Sequence, residues 1–144
     1  MKKTTVLFVC VHNSARSQMA EALLNHFFGE RFQAESAGLE PGTLNPLAVA
    51  AMADLGIDIS RKETRDVFEL YRHGERYDYV ITVCDQAGGE RCPLFPGAVQ
   101  QIHWDFEDPA TFTGSSGERL ERTKRVRDQI KGRIQAWSHE VAKG

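Results

Sequence analysis

Thr4-Thr5-Val6-Leu7-Phe8-Val9-Cys10-Val11-His12-Asn13-Ser14-Ala15-Arg16-Ser17 is the stretch on which the fold turns. Its first six residues form a short, β-rich apolar run without polar alternation, the pattern of a strand covered on both faces. From Ser17 the period changes: Met19, Ala20, Leu23, Leu24, Phe27 and Phe28 recur at helical spacing, and Gly29 ends the run. The loop between strand and helix opens on Cys10 and closes on Arg16. Such a junction presents unpaired backbone amides and the positive end of a helix dipole, a seat for a tetrahedral oxyanion. A guanidinium at Arg16 suits two of its oxygens while the Cys10 sulfur faces the central atom. The same field favours the reactive thiolate. Ser17 is placed to donate a hydrogen bond to it, and Asn13 to hold the loop through side-chain bonds to backbone.

Working outward, a second strand is expected over Phe32–Ser36. Asn45 then caps a helix with Pro46 at its first position, running through Leu47, Val49, Ala50 and Met52 to Leu55 and closed by Gly56. A short helix over Asp66–Tyr71 leads into a strand over Tyr77–Val83 that delivers Cys84. Asp85–Gly97, rich in glycine and proline, reads as loop or marginal helix. A last strand is expected over Val99–Trp104. The final helix carries Val126, Ile130, Ile134, Trp137 and Val141 on one face. Strands alternating with helices predict a single α/β domain over residues 1–144, with about four parallel strands and helices on both sides. Ligands of such sheets bind beyond the carboxyl ends of the strands, near the switch point. Cys10, Cys84 and Trp104–Asp108 each follow a strand and so share one rim.

Composition narrows the classes. The chain has 144 residues and a formal net charge of -2, with no basic footprint for nucleic acid and no stripe suited to a membrane surface. Met1-Lys2-Lys3 before an apolar run imitates the start of a signal peptide. That run stops at His12, Asn13 and Arg16 with no small-residue cleavage site, so a cytoplasmic protein is expected. No stretch reaches transmembrane length. The three cysteines are an odd count, expected as thiols in a reducing compartment unless chemistry oxidises them. Each alone reads as a small buried apolar residue. The spacing of Cys84 and Cys92 does not fit the short zinc-ligand pairs, and His73 and His103 form no set with them.

Cys10 to Ser17 resembles the phosphate-binding loop shared by low-molecular-weight tyrosine phosphatases and the arsenate reductases related to them, and the resemblance covers essentially the whole chain. It implies a three-layer, flavodoxin-like fold with a parallel sheet in the order 2-1-3-4. It implies Cys10 as nucleophile, Arg16 as oxyanion ligand in the loop Cys10, Val11, His12, Asn13, Ser14, Ala15, Arg16 and Ser17, and Asp108 of Asp108-Pro109 as general acid. A phosphatase needs no more than these, whereas a reductase must draw two electrons from further thiols. The segment from Cys84 to Pro93 resembles the redox loop of these arsenate reductases. Asp108-Pro109-Ala110 lacks the tyrosine that phosphatases usually carry there.

The resemblance therefore implies an arsenate reductase with a Cys10–Cys84–Cys92 disulfide relay, a monomer that binds no tight cofactor and for which phosphate and sulfate compete with arsenate. A tyrosine phosphatase is the alternative, and a non-catalytic oxyanion sensor a third class. The spacing from Cys84 to Cys92 is slightly longer than in the best-described thioredoxin-linked members, and Ala15 stands where another cysteine often lies. The thiol donor is left open between thioredoxin and glutaredoxin with glutathione. Some members bind potassium beside the loop; Asn13, Glu21 and Ser36 match that pattern, and Asp66 does so with a one-residue shift. Finally, a helix over residues 84 to 92 would hold the two α-carbons roughly 12 Å apart, against the limit of about 7 Å for a disulfide. A helical loop would have to fold back for Cys84 and Cys92 to pair, most easily at Gly88-Gly89.

Overall fold

The computed structural model describes residues 2–84 and 91–143. In order these form β1 (Thr4–Cys10), α1 (Arg16–Phe28), β2 (Phe32–Gly38), α2 (Pro46–Ala53), α3 (Val67–Arg72), β3 (Tyr79–Thr82), β4 (Gln100–His103), a 3-10 turn (Pro109–Thr111) and α4 (Ser116–Lys143). The sheet is parallel throughout, in the order β2-β1-β3-β4. Gly88-Gly89, expected to be the hinge of the redox loop, lies outside the described residues.

β1 is the central strand because its apolar run serves two cores. Val6, Leu7, Phe8 and Val9 are all fully buried. Val6, Phe8 and Cys10 face the cluster built from α1, α2 and α4, with Met19, Leu23, Met52 and Ile130. Leu7 and Val9 face the other side, against Val67 and Leu70 of α3 and Tyr77 and Phe95. The chain leaves β1 toward β2 and leaves β3 toward β4, so these adjacent strands send their exits in opposite directions. The crevice between them is the switch point at which ligands of open α/β sheets bind.

Local chemistry explains the boundaries. Asn45 accepts a hydrogen bond from the Leu47 amide at 2.9 Å, and Pro46 opens α2. The helix stops at Ala53, two residues short of the expected end, and Gly56, in the left-handed conformation at φ 77°, turns the chain back. Gly29 ends α1 in right-handed geometry instead. β2 runs two residues past the expected Ser36, because Ala37 and Gly38 stay paired with Val9 and Cys10. β3 is shorter than Tyr77–Val83: Tyr77 packs into the second core, and Asp78 receives the Thr5 amide at 2.9 Å.

α4 buries Val126, Ile130, Ile134 and Trp137 along one face. Its buried Arg127 donates to the Ala51 carbonyl at 2.7 Å and to Asp54 at 3.0 Å, satisfying the end of α2 from a neighbouring helix. Among the described residues no helix is long and apolar enough to cross a membrane.

Ile130 is fully enclosed and Leu94 is 79% exposed. Ile130→Ala is expected to cost about 2–5 kcal/mol in urea unfolding, as transfer loss plus cavity. Leu94→Ala should stay within about 0.5 kcal/mol of the parent.

Candidate active site

The turn from β1 into α1 is a cradle whose peptide planes are fixed from outside. The carbonyls of Cys10, Val11, His12 and Ser14 accept from the amides of Leu39, Glu40, Gly42 and Asn45, at 3.1, 2.7, 2.9 and 2.8 Å. In a trans peptide the N–H points opposite the carbonyl that precedes it. The amides of Val11, His12, Asn13 and Ala15 are therefore turned inward. That of Asn13 shows the direction, donating to the Cys10 sulfur at 3.1 Å. Ala15 sits at the N-cap of α1, which has no side-chain cap and no acidic residue in its first turn. That leaves the first amides of α1 open to an anion.

Asn13 holds the cradle together. It is fully buried and sits at φ 55°, a left-handed conformation that Asn adopts more readily than most residues. Its amide nitrogen donates to Ser17 Oγ at 2.7 Å, and its oxygen accepts from the Arg65 amide at 3.0 Å and from Gln18 at 3.2 Å. Ser17 Oγ lies 2.8 Å from the Cys10 sulfur. With its oxygen already accepting from Asn13, the Ser17 hydroxyl is set to donate to a thiolate.

Arg16 begins α1, is 6% exposed and reaches across to the loop after β4. It donates to the Phe106 carbonyl at 3.3 Å and lies 3.4 Å from Asp108 Oδ2. The other Asp108 oxygen caps the 3-10 turn, accepting from the Ala110 amide at 3.0 Å. Arg16 and Asp108 thus meet at the mouth of a concavity of about 330 Å³, walled by Val11, His12, Phe106 and Phe112. Larger clefts lie elsewhere, including one along β2, but a tetrahedral anion of five atoms needs little room. His12 turns outward and bonds the Glu40 carbonyl at 2.8 Å.

The three cysteines are buried thiols divided between the cores. Cys84 follows β3, just past Val83, whose amide bonds the Val9 carbonyl at 2.8 Å. It shares Cys10's cluster, and both stand at the switch-point crevice. Cys92 packs in the other cluster, with Val9, Leu39 and Phe95. Burial, and secondarily Cys84, push its pKa up to about 12, so it is protonated at neutral pH.

The residues matched to a potassium site already have partners within the chain. The Asn13 oxygen already has two donors, and Asp66 Oδ1 caps α3 by accepting from the Phe68 amide at 2.8 Å. Glu21, 5% exposed, accepts from Ser36 at 2.7 Å and is ion-paired with Lys62. Among the described residues no group of three or more His, Cys, Asp and Glu is arranged to hold a metal.

Gly38, Gln18 and Arg65 were not legible as site residues. A Cβ on Gly38 would lie 2.8 Å from the Asn13 nitrogen and 2.9 Å from His12 C and Val11 O, all backbone. The signal was there only as a glycine soon after a strand, which in most chains marks a turn. Gly38→Ala is expected to push the cradle outward and weaken phosphate binding by about tenfold or more, equivalent to at least about 1.4 kcal/mol. Protection of Cys10 from iodoacetamide by phosphate measures it; unchanged protection would mean the cradle tolerates the shift.

Comparisons with known proteins identify the family. Residues 5–144 match the pattern of the low molecular weight phosphotyrosine protein phosphatase family. An arsenate reductase of Shouchella clausii is 41% identical over 138 residues, 96% of this chain and 97% of that protein. A solved arsenate reductase in its phosphate-binding state superposes with a TM-score of 0.78 at 31% identity, over 95% of this chain and 98% of the other. A thioredoxin-dependent arsenate reductase of Corynebacterium glutamicum superposes at 0.63 and 31% identity, over 93% of this chain and 63% of that one. The chain belongs to the low-molecular-weight phosphotyrosine protein phosphatase family and is related along nearly its whole length to the arsenate reductases within it.

Proposed function

We propose that this chain is an arsenate reductase, acting as a single, monomeric, cytoplasmic domain over residues 1–144 and regenerated by an external dithiol. The observation that carries this reading is the second thiol at the crevice. Cys84 leaves the strand next to β1 and shares Cys10's core, where a phosphatase needs no sulfur at all.

Arsenate enters the cradle, its oxygens taken by the inward amides and by Arg16. The Cys10 thiolate, accepting from Ser17 and the Asn13 amide, attacks arsenic, and an oxygen leaves as water with a proton from Asp108. Arg16 stands 3.4 Å from Asp108, so an oxygen gripped by the guanidinium is brought against the carboxyl. Cys84 then attacks the Cys10 sulfur. The electrons of the sulfur–arsenic bond stay on arsenic, which departs as arsenite and leaves a Cys10–Cys84 disulfide. Cys92 attacks Cys84, freeing Cys10, and the Cys84–Cys92 disulfide goes to the reductant. The thioredoxin dependence of the Corynebacterium glutamicum reductase supports thioredoxin as that donor, with glutaredoxin and glutathione as the other arm of the test.

Arsenite release with thioredoxin, its reductase and NADPH is expected to require Cys10, Cys84 and Cys92. Slow hydrolysis of p-nitrophenyl phosphate should need Cys10 and Arg16 and survive Cys84→Ser. Arsenite release that persists in Cys84→Ser, or silence with every donor, overturns the reductase reading. Phosphatase activity that exceeds arsenate turnover by orders of magnitude would favour the hydrolase.

The raised Cys92 pKa gives a second outcome. An ordinary cysteine, with pKa about 8.5, alkylates markedly faster between pH 7 and 9. The Cys92 thiol should stay slow over that window in the reduced protein and react once urea unfolds it. Peptide mapping after iodoacetamide distinguishes the sites.

A further inference from the structure

The buried carboxylate behind the cradle carries an inference of its own. Glu21 lies on α1, 5% exposed, with Ser36 of β2 donating to one oxygen. A carboxylate so enclosed requires a positive partner. That partner comes from the segment between α2 and α3, where Lys62 is ion-paired with Glu21. We infer that the Lys62 ammonium is the cation of this site, tethered to the chain in the place where the family resemblance implies a potassium ion.

The pair matters because of what the Lys62 segment holds. From Lys62 to Asp66 the chain forms a strap stitched to the cradle and its supports. The Glu63 carbonyl accepts from Gln18 at 3.1 Å, and Thr64 donates to the Gly42 carbonyl at 2.7 Å. The Arg65 amide donates to the Asn13 oxygen at 3.0 Å, while its carbonyl accepts from the Gly38 amide at 2.8 Å. Asn13 in turn orients Ser17 beneath the sulfur. The Lys62–Glu21 pair anchors the start of this strap to α1, so Lys62 is a positioning residue for a cradle it does not touch. Burial and, after it, the nearby Arg65 guanidinium lower the Lys62 pKa.

A tethered ammonium and a free potassium or ammonium ion are monovalent cations of similar size. If Lys62 fills the role, the parent protein should be indifferent to which cation is in solution, and removing the side chain should create a demand for one. An open cleft lined by Glu21, Asn25, Ala34, Glu35 and Lys62 gives an ion the route in.

The experiment compares the parent, Lys62→Met and Lys62→Arg in choline chloride, potassium chloride and ammonium chloride at equal ionic strength. It reads thermal unfolding and the rate of Cys10 alkylation. The parent and Lys62→Arg should behave alike in all three salts. Lys62→Met should melt on the order of 5 °C lower in choline chloride and alkylate Cys10 more slowly, with potassium or ammonium recovering at least half of both losses. A potassium-specific response in the parent, or no cation response in Lys62→Met, overturns the inference. If Lys62→Met fails to fold in choline chloride, the double variant Glu21→Gln with Lys62→Met decides. Its folding without any cation response supports charge compensation, and its failure to fold overturns it.

Discussion

The site depends on which way four peptide planes face. A planar trans peptide carries its donor and acceptor on opposite sides, so pinning a carbonyl outward aims the next amide inward without any side chain at the anion. The 39–45 segment does this at Cys10, Val11, His12 and Ser14. Two further features make that arrangement possible. Gly38 lets the β2 exit come within Cβ distance of the loop backbone, and Asn13 accepts the left-handed turn that rotates the chain toward the sulfur. The absence of a side-chain cap on α1 belongs to the same design, since an Asp or Ser at position 15 would compete for the amides an oxyanion needs.

Division of the thiols between two cores bears on the order of events in the proposed relay. Cys10 and Cys84 belong to the cluster on the α1 face, and Cys92 to the cluster on the α3 face. A thiol that burial holds protonated is a weak nucleophile. In the proposed relay Cys92 would attack only once the packing of Val9, Leu39 and Phe95 around it opens. In that relay the same packing would hold back premature pairing of Cys84 with Cys92, which would remove the electrons before arsenate arrives. Outside the core, Arg91 pairs with Glu40 at 2.7 Å, tying the residue before Cys92 to the segment that orients the cradle. That pair is well exposed and so contributes little to stability.

Much of this was legible in the sequence because the informative residues are local. A strand buried on both faces, a cysteine at its end and an arginine six residues on state the cradle within a single stretch, and alternation of strands with helices states the parallel sheet. Less legible were features that need residues far apart in the chain. Arg65 reaches Asn13 across 52 positions, Gly38 meets His12 only through the β1–β2 ladder, and Arg127 caps a helix 73 positions away. Asp66 shows the converse difficulty: as an acid near the expected spacing it matched a cation ligand, while its local environment made it a helix cap. Lys62 carried no signal at all, because a lysine in a polar stretch reads as solvated surface until the buried carboxylate it meets is known.

The cradle itself does not choose between hydrolysis and reduction. Its amides and guanidinium suit a charge and a tetrahedral shape, which phosphate and arsenate share, and in the mechanism proposed above Cys10 with Asp108 begins either reaction. In the proposed relay the choice is made at the exit of β3, where the parallel ladder sets Val9 beside Thr82 and so brings position 84 to the crevice that Cys10 faces. A sulfur there gives the arsenic adduct a route that releases the central atom with two more electrons. An apolar residue there leaves water as the only second nucleophile. For phosphorus the sulfur is idle, since transfer of electrons onto phosphate is far uphill while the same transfer onto arsenic(V) is not. In that proposal Cys84 adds a reaction without removing one, and specificity lies in the redox chemistry of the bound atom rather than in the shape of the seat that holds it.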